Sequence, residues 1–180
     1  MRDTRAVETC LEPDQRTLIL SHALTKDFPF DFHCQVEVMT TPLGFAHRLM
    51  VYRPGLRDKF EQDDAMPVNA GIHPYFRLTK EGGVVSVGEN VQWLGKPFGA
   101  IRWPMPNLNA EVEIKLWGVG RVIMKLYGYG ALILWSDSDK YACVEPVLYL
   151  PPDFASSKGK WLTKGEALEA YCNFSFTPET

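Results

Sequence analysis

The sequence predicts an all-β protein, an antiparallel β-sandwich or a related architecture with little helix. Three observations carry this. The dominant hydrophobic period is two, the candidate strands are rich in β-branched and aromatic residues, and turn clusters separate them at short intervals. The first candidate strand, "RTLILSHAL" (16–24), comes almost at once and has no evident partner before it. An uncovered sheet edge invites association. It therefore calls for a short N-terminal arm, a second subunit in a homodimer, or a larger domain of which this one is a shortened version.

In "FHCQVEVMTT" (32–41), Phe32, Cys34, Val36 and Val38 alternate with His33, Gln35, Glu37 and Met39. "EVEIKLWG" (111–118) repeats the pattern, with Val112, Ile114 and Leu116 predicted inward and Glu111, Glu113 and Lys115 outward. "GRVIMKLYG" (120–128), "GALILWSD" (130–137), "YACVEPVLYL" (141–150) and "AYCNFSFT" (170–177) are further strands. Between them lie "DFPFD", "YRPGLRD", "KEGG", "LGKPFG" and "SDSDK", whose Gly, Pro, Asp and Ser content marks turns. The segment "RDKFEQDD" (57–64) offers one helical turn. The first fifteen residues and "FGAIRWPMPNLNAE" (98–111) give the weakest signals, and the latter, rich in proline and asparagine, reads as a surface-running connection. No repeat, low-complexity tract or linker divides the chain, so residues 1–180 are expected to form one domain.

Composition narrows the function classes. With 46% hydrophobic and 23% charged residues and a formal net charge of −3, the chain shows no electrostatic footprint for nucleic acid. No apolar run reaches the roughly 18 residues of a membrane span, and no secretory h-region is visible. Cys10, Cys34, Cys143 and Cys172 are widely separated, which predicts reduced thiols and a cytoplasmic location. The histidines at 22, 33, 47 and 73 lack ligand spacing, so no metal site is expected, and no phosphate loop suggests a nucleotide cofactor.

Two stretches stand apart. In "NAGIHPYFRL" (69–78), His73, Tyr75 and Arg77 fall on one side of an extended segment and Ile72, Pro74 and Phe76 on the other. Proline cannot donate to a sheet ladder, so the segment belongs at an edge, a strand start or a bulge. In "YACVEPVLYL", Tyr141, Cys143 and Glu145 share a face, and Pro146 is expected to end or distort the pairing. A glutamate in an apolar run is either at a solvent-facing strand end or buried, and burial raises its pKa and makes it a better base once ionised. A single histidine on a strand is more often a hydrogen-bonded structural residue than an acid. Together, the two stretches place an ionisable residue immediately before a proline twice, one a natural acid and the other a natural base.

These blocks resemble a known family. "MPVNAGIHPYFRL" is similar to the "P…G.HPYF.L" block of the aldose 1-epimerases (galactose mutarotases) and their hexose-6-phosphate epimerase relatives. "LILWSDSDKYACVEPV" resembles the later "W…..CIEP" block, "WLTKGEAL" the "L.PGE" turn, and "LSHALTKDFPFDFHCQVEV" the "T…FPF.F" strand pair. The resemblance runs from about Leu18 to Phe176 in the family's order. It implies a large antiparallel β-sandwich, the galactose mutarotase-like supersandwich, that binds a sugar in a groove without metal or other cofactor. It implies His73 as general acid and Glu145 as general base in α/β anomer exchange of an aldohexose or hexose 6-phosphate. Tyr75, Arg77, Arg102, Asn107 and Asn109 are the candidate substrate-binding residues. The family's upstream Arg/His segment and its mid-chain aspartate have no match here, so the domain is expected to lack the usual N-terminal segment. Two alternatives to the isomerase stay open: a non-catalytic carbohydrate-binding sandwich, and a shortened structural remnant completed by a partner chain.

Overall fold

A computed structural model describes residues 5–12, 15–22, 30, 32–54, 65–105, 109–150 and 159–179; for residues 5–12, 15–22 and 41 only the backbone is described. Fifteen strands and no helix occur among the described residues. In chain order they are β1 (Arg5–Glu12), β2 (Gln15–His22), β3 (Phe32–Thr41), β4 (Gly44–Tyr52) and β5 (Met66–Val68). Next come β6 (Tyr75–Arg77), β7 (Gly83–Val87), β8 (Asn90–Leu94), β9 (Phe98–Pro104) and β10 (Asn109–Leu116). The last are β11 (Gly120–Tyr127), β12 (Ala131–Ser136), β13 (Tyr141–Val147), β14 (Lys160–Leu162) and β15 (Ala167–Pro178).

Nine strands form one sheet in the order β1-β2-β3-β4-β15-β11-β10-β7-β8, and four form a second in the order β6-β13-β12-β9; β5 pairs with β14. All pairings are antiparallel. The predicted alternation holds in β10, where Val112, Ile114 and Leu116 are buried while Glu111 and Lys115 are exposed. From the nine-stranded sheet, Val85, Val112, Ile114, Met124 and Leu126 enter the core. Leu132, Leu134, Ala142 and Val144 meet them from the four-stranded sheet. Packing even-numbered residues of β12 and β13 into this core turns the odd-numbered ones, including Trp135, Cys143 and Glu145, to the opposite face of the sheet.

Of the three ways to cover the edge at residues 16–24, the chain takes the first: Arg5–Glu12 form β1, an N-terminal arm that pairs along β2. One expectation is corrected: the stretch from Phe98 is not a surface connection up to Pro104. It is β9, an edge strand whose Ile101 and Trp103 pack against the core while Arg102 between them is exposed. Its prolines obscured the signal, yet an edge strand tolerates a missing N–H at its end. The segment 57–64 lies outside the described residues. No described helix is long and apolar enough to cross a membrane. Cys34, Cys143 and Cys172 are free thiols.

A close approach requires glycine at position 71, beside the strand that carries Glu145. Gly71 bridges Val147, and a Cβ there would lie 2.6 Å from the Pro146 carbonyl oxygen and 2.7 Å from Val147 Cγ1. Gly71→Ala is expected to destabilise the fold by about 1–3 kcal/mol, the usual range for overpacking. A lowered midpoint in urea unfolding checks it, and an unchanged midpoint would deny the contact.

Candidate functional site

The site is built where residues 69–77 run antiparallel to β13. Tyr75 and Arg77 of β6 stand opposite Cys143 and Tyr141, and Gly71 stands opposite Val147. The same register continued between these points sets His73 directly across from Glu145. Beside the β6–β13 ladder, four backbone bonds hold the segment: Leu78 N–H to Lys140 O (2.8 Å), Val144 N–H to Pro74 O (3.3 Å), Ile72 N–H to Pro146 O (3.1 Å) and Leu148 N–H to Ala70 O (2.9 Å). The Asn69 side chain adds reciprocal 3.2 Å bonds with the Tyr149 backbone.

This register explains why each ionisable residue precedes a proline. In an antiparallel pair, directly opposed residues alternate between those that exchange two backbone bonds and those that exchange none, the latter bringing side chains closer. Pro74–Val144 and Ile72–Pro146 are bonded pairs, and in each the proline removes one of two bonds. His73–Glu145, between them, is a non-bonded pair whose side chains meet. Of the two outcomes the sequence offered for Pro146, it distorts the pairing, removing one bond to Ile72, and does not end the strand. β13 continues through it, paired with Leu132 of β12, because the missing N–H faces residues 70–74 instead.

His73 Nε2 lies 2.9 Å from Glu145 Oε1. The histidine side chain is 50% exposed and the glutamate 13%, so the pair opens to solvent on one side only. An aromatic layer surrounds it. Tyr75 stacks on the imidazole with ring centroids 4.9 Å apart, the Trp135 ring meets it edge-on at 6.5 Å, and Tyr141 lies 5.3 Å from Tyr75 and 6.1 Å from Trp135. The Tyr141 hydroxyl donates to Asp137 Oδ1, which anchors the layer to the β12–β13 turn. Cys143 is fully buried on the same strand face. Burial pushes the Glu145 carboxyl above its ordinary pKa, and the neighbouring His73 draws it back only in part. Burial, with the Glu145 charge nearby, raises the Cys143 thiol to about 11.

Arg77 stands opposite Tyr141, and Arg102 stands opposite Ile133, which itself faces Glu145 across the ladder. Both arginines thus share the face of the pair. Each is exposed and without an ion-pair partner among the described residues.

No protein-family model matches the chain, and no curated protein does. Solved structures do. A candidate aldose 1-epimerase from Escherichia coli K12 superposes with a TM-score of 0.76 at 14% identity, over 97% of this chain and 69% of that one. A galactose mutarotase-like protein from Lactobacillus casei ATCC 334 gives 0.72 at 14% identity, over 96% and 73%. Another from Clostridium acetobutylicum gives 0.69 at 15%, over 98% and 67%. The fold is galactose mutarotase-like.

On this mutarotase-like frame, the two residues predicted from separate blocks, His73 and Glu145, come together, and Tyr75 lies against the histidine. Arg77 and Arg102 reach the same face. Asn109 does not: it opens β10 in the nine-stranded sheet, on the exposed side it shares with Glu111, away from the four-stranded sheet. The outward parity of β10 that puts Val112 into the core dictates this. Asn107 lies outside the described residues. Sequence reasoning missed Trp135 and Asp137 as members of the cluster around His73 and Glu145. The period of two placed Tyr141 and Cys143 beside Glu145, but only the β12–β13 register, which sets Trp135 opposite Cys143, closes the cluster.

Proposed function

We propose that the protein is an aldose 1-epimerase-type isomerase that interconverts the α and β anomers of an aldohexose, free or carrying a 6-phosphate. The observation that carries this reading is the 2.9 Å approach of an imidazole nitrogen to a largely buried carboxylate on an open, aromatic-lined sheet face. The anomeric hydroxyl and the ring oxygen are bonded to one carbon, so an acid and a base that address both must sit side by side, as these do. Glu145 takes the proton from the anomeric hydroxyl while the His73 imidazolium gives one to the ring oxygen. The C1–O5 bond breaks, C1=O forms, and the open aldehyde results. Rotation about C1–C2 presents the other carbonyl face. Ring closure then returns the protons, with neutral His73 taking the C5 hydroxyl proton and protonated Glu145 giving one to the new anomeric oxygen. Tyr75, 61% exposed, and Trp135 supply apolar faces for the pyranose C–H surface.

The raised Glu145 pKa suits a base that must also return its proton. It also fixes the sign of one pH effect. Exchange requires the carboxylate, so the acid limb of the rate profile should fall at a pH above the ordinary carboxylate range. A limb within that ordinary range would contradict the burial argument.

Arg77 and Arg102, with no acidic partner among the described residues, support a phosphorylated hexose, since guanidinium groups bind phosphate through paired N–H donors. Anomer exchange measured by NMR on glucose, galactose and glucose 6-phosphate at one protein concentration tests both parts. Binding of sugar without acceleration would favour a carbohydrate-binding sandwich instead.

A further inference from the structure

We infer that the same cluster is a binding site for a thiophilic divalent cation, zinc above all, whose entry shuts the acid–base pair. The ligand atoms of His73, Cys143 and Glu145 all lie within 4.8 Å of one another, giving one nitrogen, one sulfur and one oxygen donor at a single point on the sheet. Tetrahedral zinc with bonds of about 2.0–2.3 Å holds such donors about 3.4–3.6 Å apart. The 2.9 Å His73–Glu145 contact must therefore widen by a few tenths of an ångström, and the longer separations close. Side-chain rotation supplies both movements.

The donor chemistry selects the ion. Thiolate and imidazole favour zinc and its softer neighbours, whereas calcium and magnesium prefer oxygen donors alone. Charge also balances: one thiolate and one carboxylate neutralise a divalent ion at a position where Cys143 is fully buried and Glu145 nearly so. Three protein donors leave a fourth position, and the half-exposed His73 marks the side from which the ion enters and on which water completes the shell. On binding, the Cys143 S–H proton passes to solvent and a metal–sulfur bond forms, with no change of oxidation state.

The cation would hold the lone pairs of both His73 and Glu145. Neither group is then free to move a proton, so metal binding and anomer exchange exclude one another. This inhibitory consequence rests on the proposed isomerase reading; the binding itself does not.

Cobalt(II) is the probe, because a thiolate ligand gives it an intense charge-transfer absorption in the near ultraviolet. Titrating the full chain with cobalt should produce that band and the visible absorption of a tetrahedral ion, and zinc should abolish both by displacement. Cys143→Ala and Cys143→Ser should each remove the band and weaken zinc binding by more than about a hundredfold, since even losing a group that only orients a ligand costs 10–100-fold. Circular dichroism of the two variants confirms that each remains folded. In exchange assays, the ratio of rates without and with zinc should exceed tenfold for the wild type and approach one for the Cys143 variants, each compared with itself. No charge-transfer band in the wild type, or a band that survives both substitutions, overturns the site. Zinc binding at the cluster with undiminished exchange overturns the shut-off. If the wild type shows no exchange under any condition, the isomerase reading fails, and the optical titration decides the metal site alone.

Discussion

Replacing Glu145 with glutamine is expected to abolish measurable anomer exchange while leaving sugar affinity within a few-fold. The amide keeps the shape of the side chain and its position opposite His73, yet it cannot take the anomeric proton. A well-placed general base contributes about 10²–10⁴-fold, and losses of that size are expected in kcat. The same substitution should stabilise the protein at neutral pH. Burial raises the Glu145 pKa in the fold, so the folded state holds its proton more tightly than the unfolded chain does. The resulting stability is fully present below the unfolded-state pKa and is lost as pH rises through the folded-state value. Above that point the wild type bears the cost of a buried carboxylate that glutamine lacks. The melting temperature of Glu145→Gln should thus exceed that of the wild type near pH 7, with the difference shrinking toward acid. A residue kept only for structure would show the reverse, losing stability when its ion pair is removed. Retained exchange would remove Glu145 from the mechanism.

The largest loss of stability is expected from Leu134→Ala. Leu134 has no exposed surface, stands between Val144 of β13 and Ile101 of β9, and points into the core shared by both sheets. Truncating such a leucine removes buried apolar surface and leaves a cavity that rigid sheets close poorly, at a cost of about 2–5 kcal/mol. Against a typical total of about 5–15 kcal/mol, this is a large fraction of what holds a domain folded. The midpoint of urea unfolding should fall with an unchanged slope, and the melting temperature should drop by about 2–4 °C per kcal/mol. A loss below about 1 kcal/mol would mean that the four-stranded sheet does not pack on its partner as described. Because Trp135 and Ile133 beside it face the other way, the acid–base pair should survive the substitution at temperatures where the variant stays folded.

How legible was this in the sequence? Strands with clean alternation, such as Glu111–Leu116 and Arg121–Tyr127, were readable because one face is core and the other solvent. β9 was not, since its Gly99, Ala100 and Pro104 dilute the period and its role depends on pairing with β12, a long-range event. β1 was hidden for a similar reason: a polar, mixed-charge segment becomes a strand only because β2 offers it an edge. In the site, His73 and Glu145 were visible as residues and as a resemblance. Their meeting was not, because it depends on a register that joins positions 72 apart in the chain. Cys143 was visible as a neighbour of Glu145 on one strand face. Its approach to His73 again needed the second strand. Asn109 misled because proximity to a block in sequence says nothing about which sheet, or which side of it, a residue joins.

The central claim is that His73 and Glu145 move protons together at an anomeric carbon. Polarimetry of freshly dissolved α-D-glucose, α-D-galactose and glucose 6-phosphate, with and without the wild-type protein, tests it most directly. The account predicts that rotation reaches its equilibrium value faster in proportion to protein concentration for at least one of these sugars. Decay at the buffer rate for all three, with the protein folded and free of added metal, would contradict it.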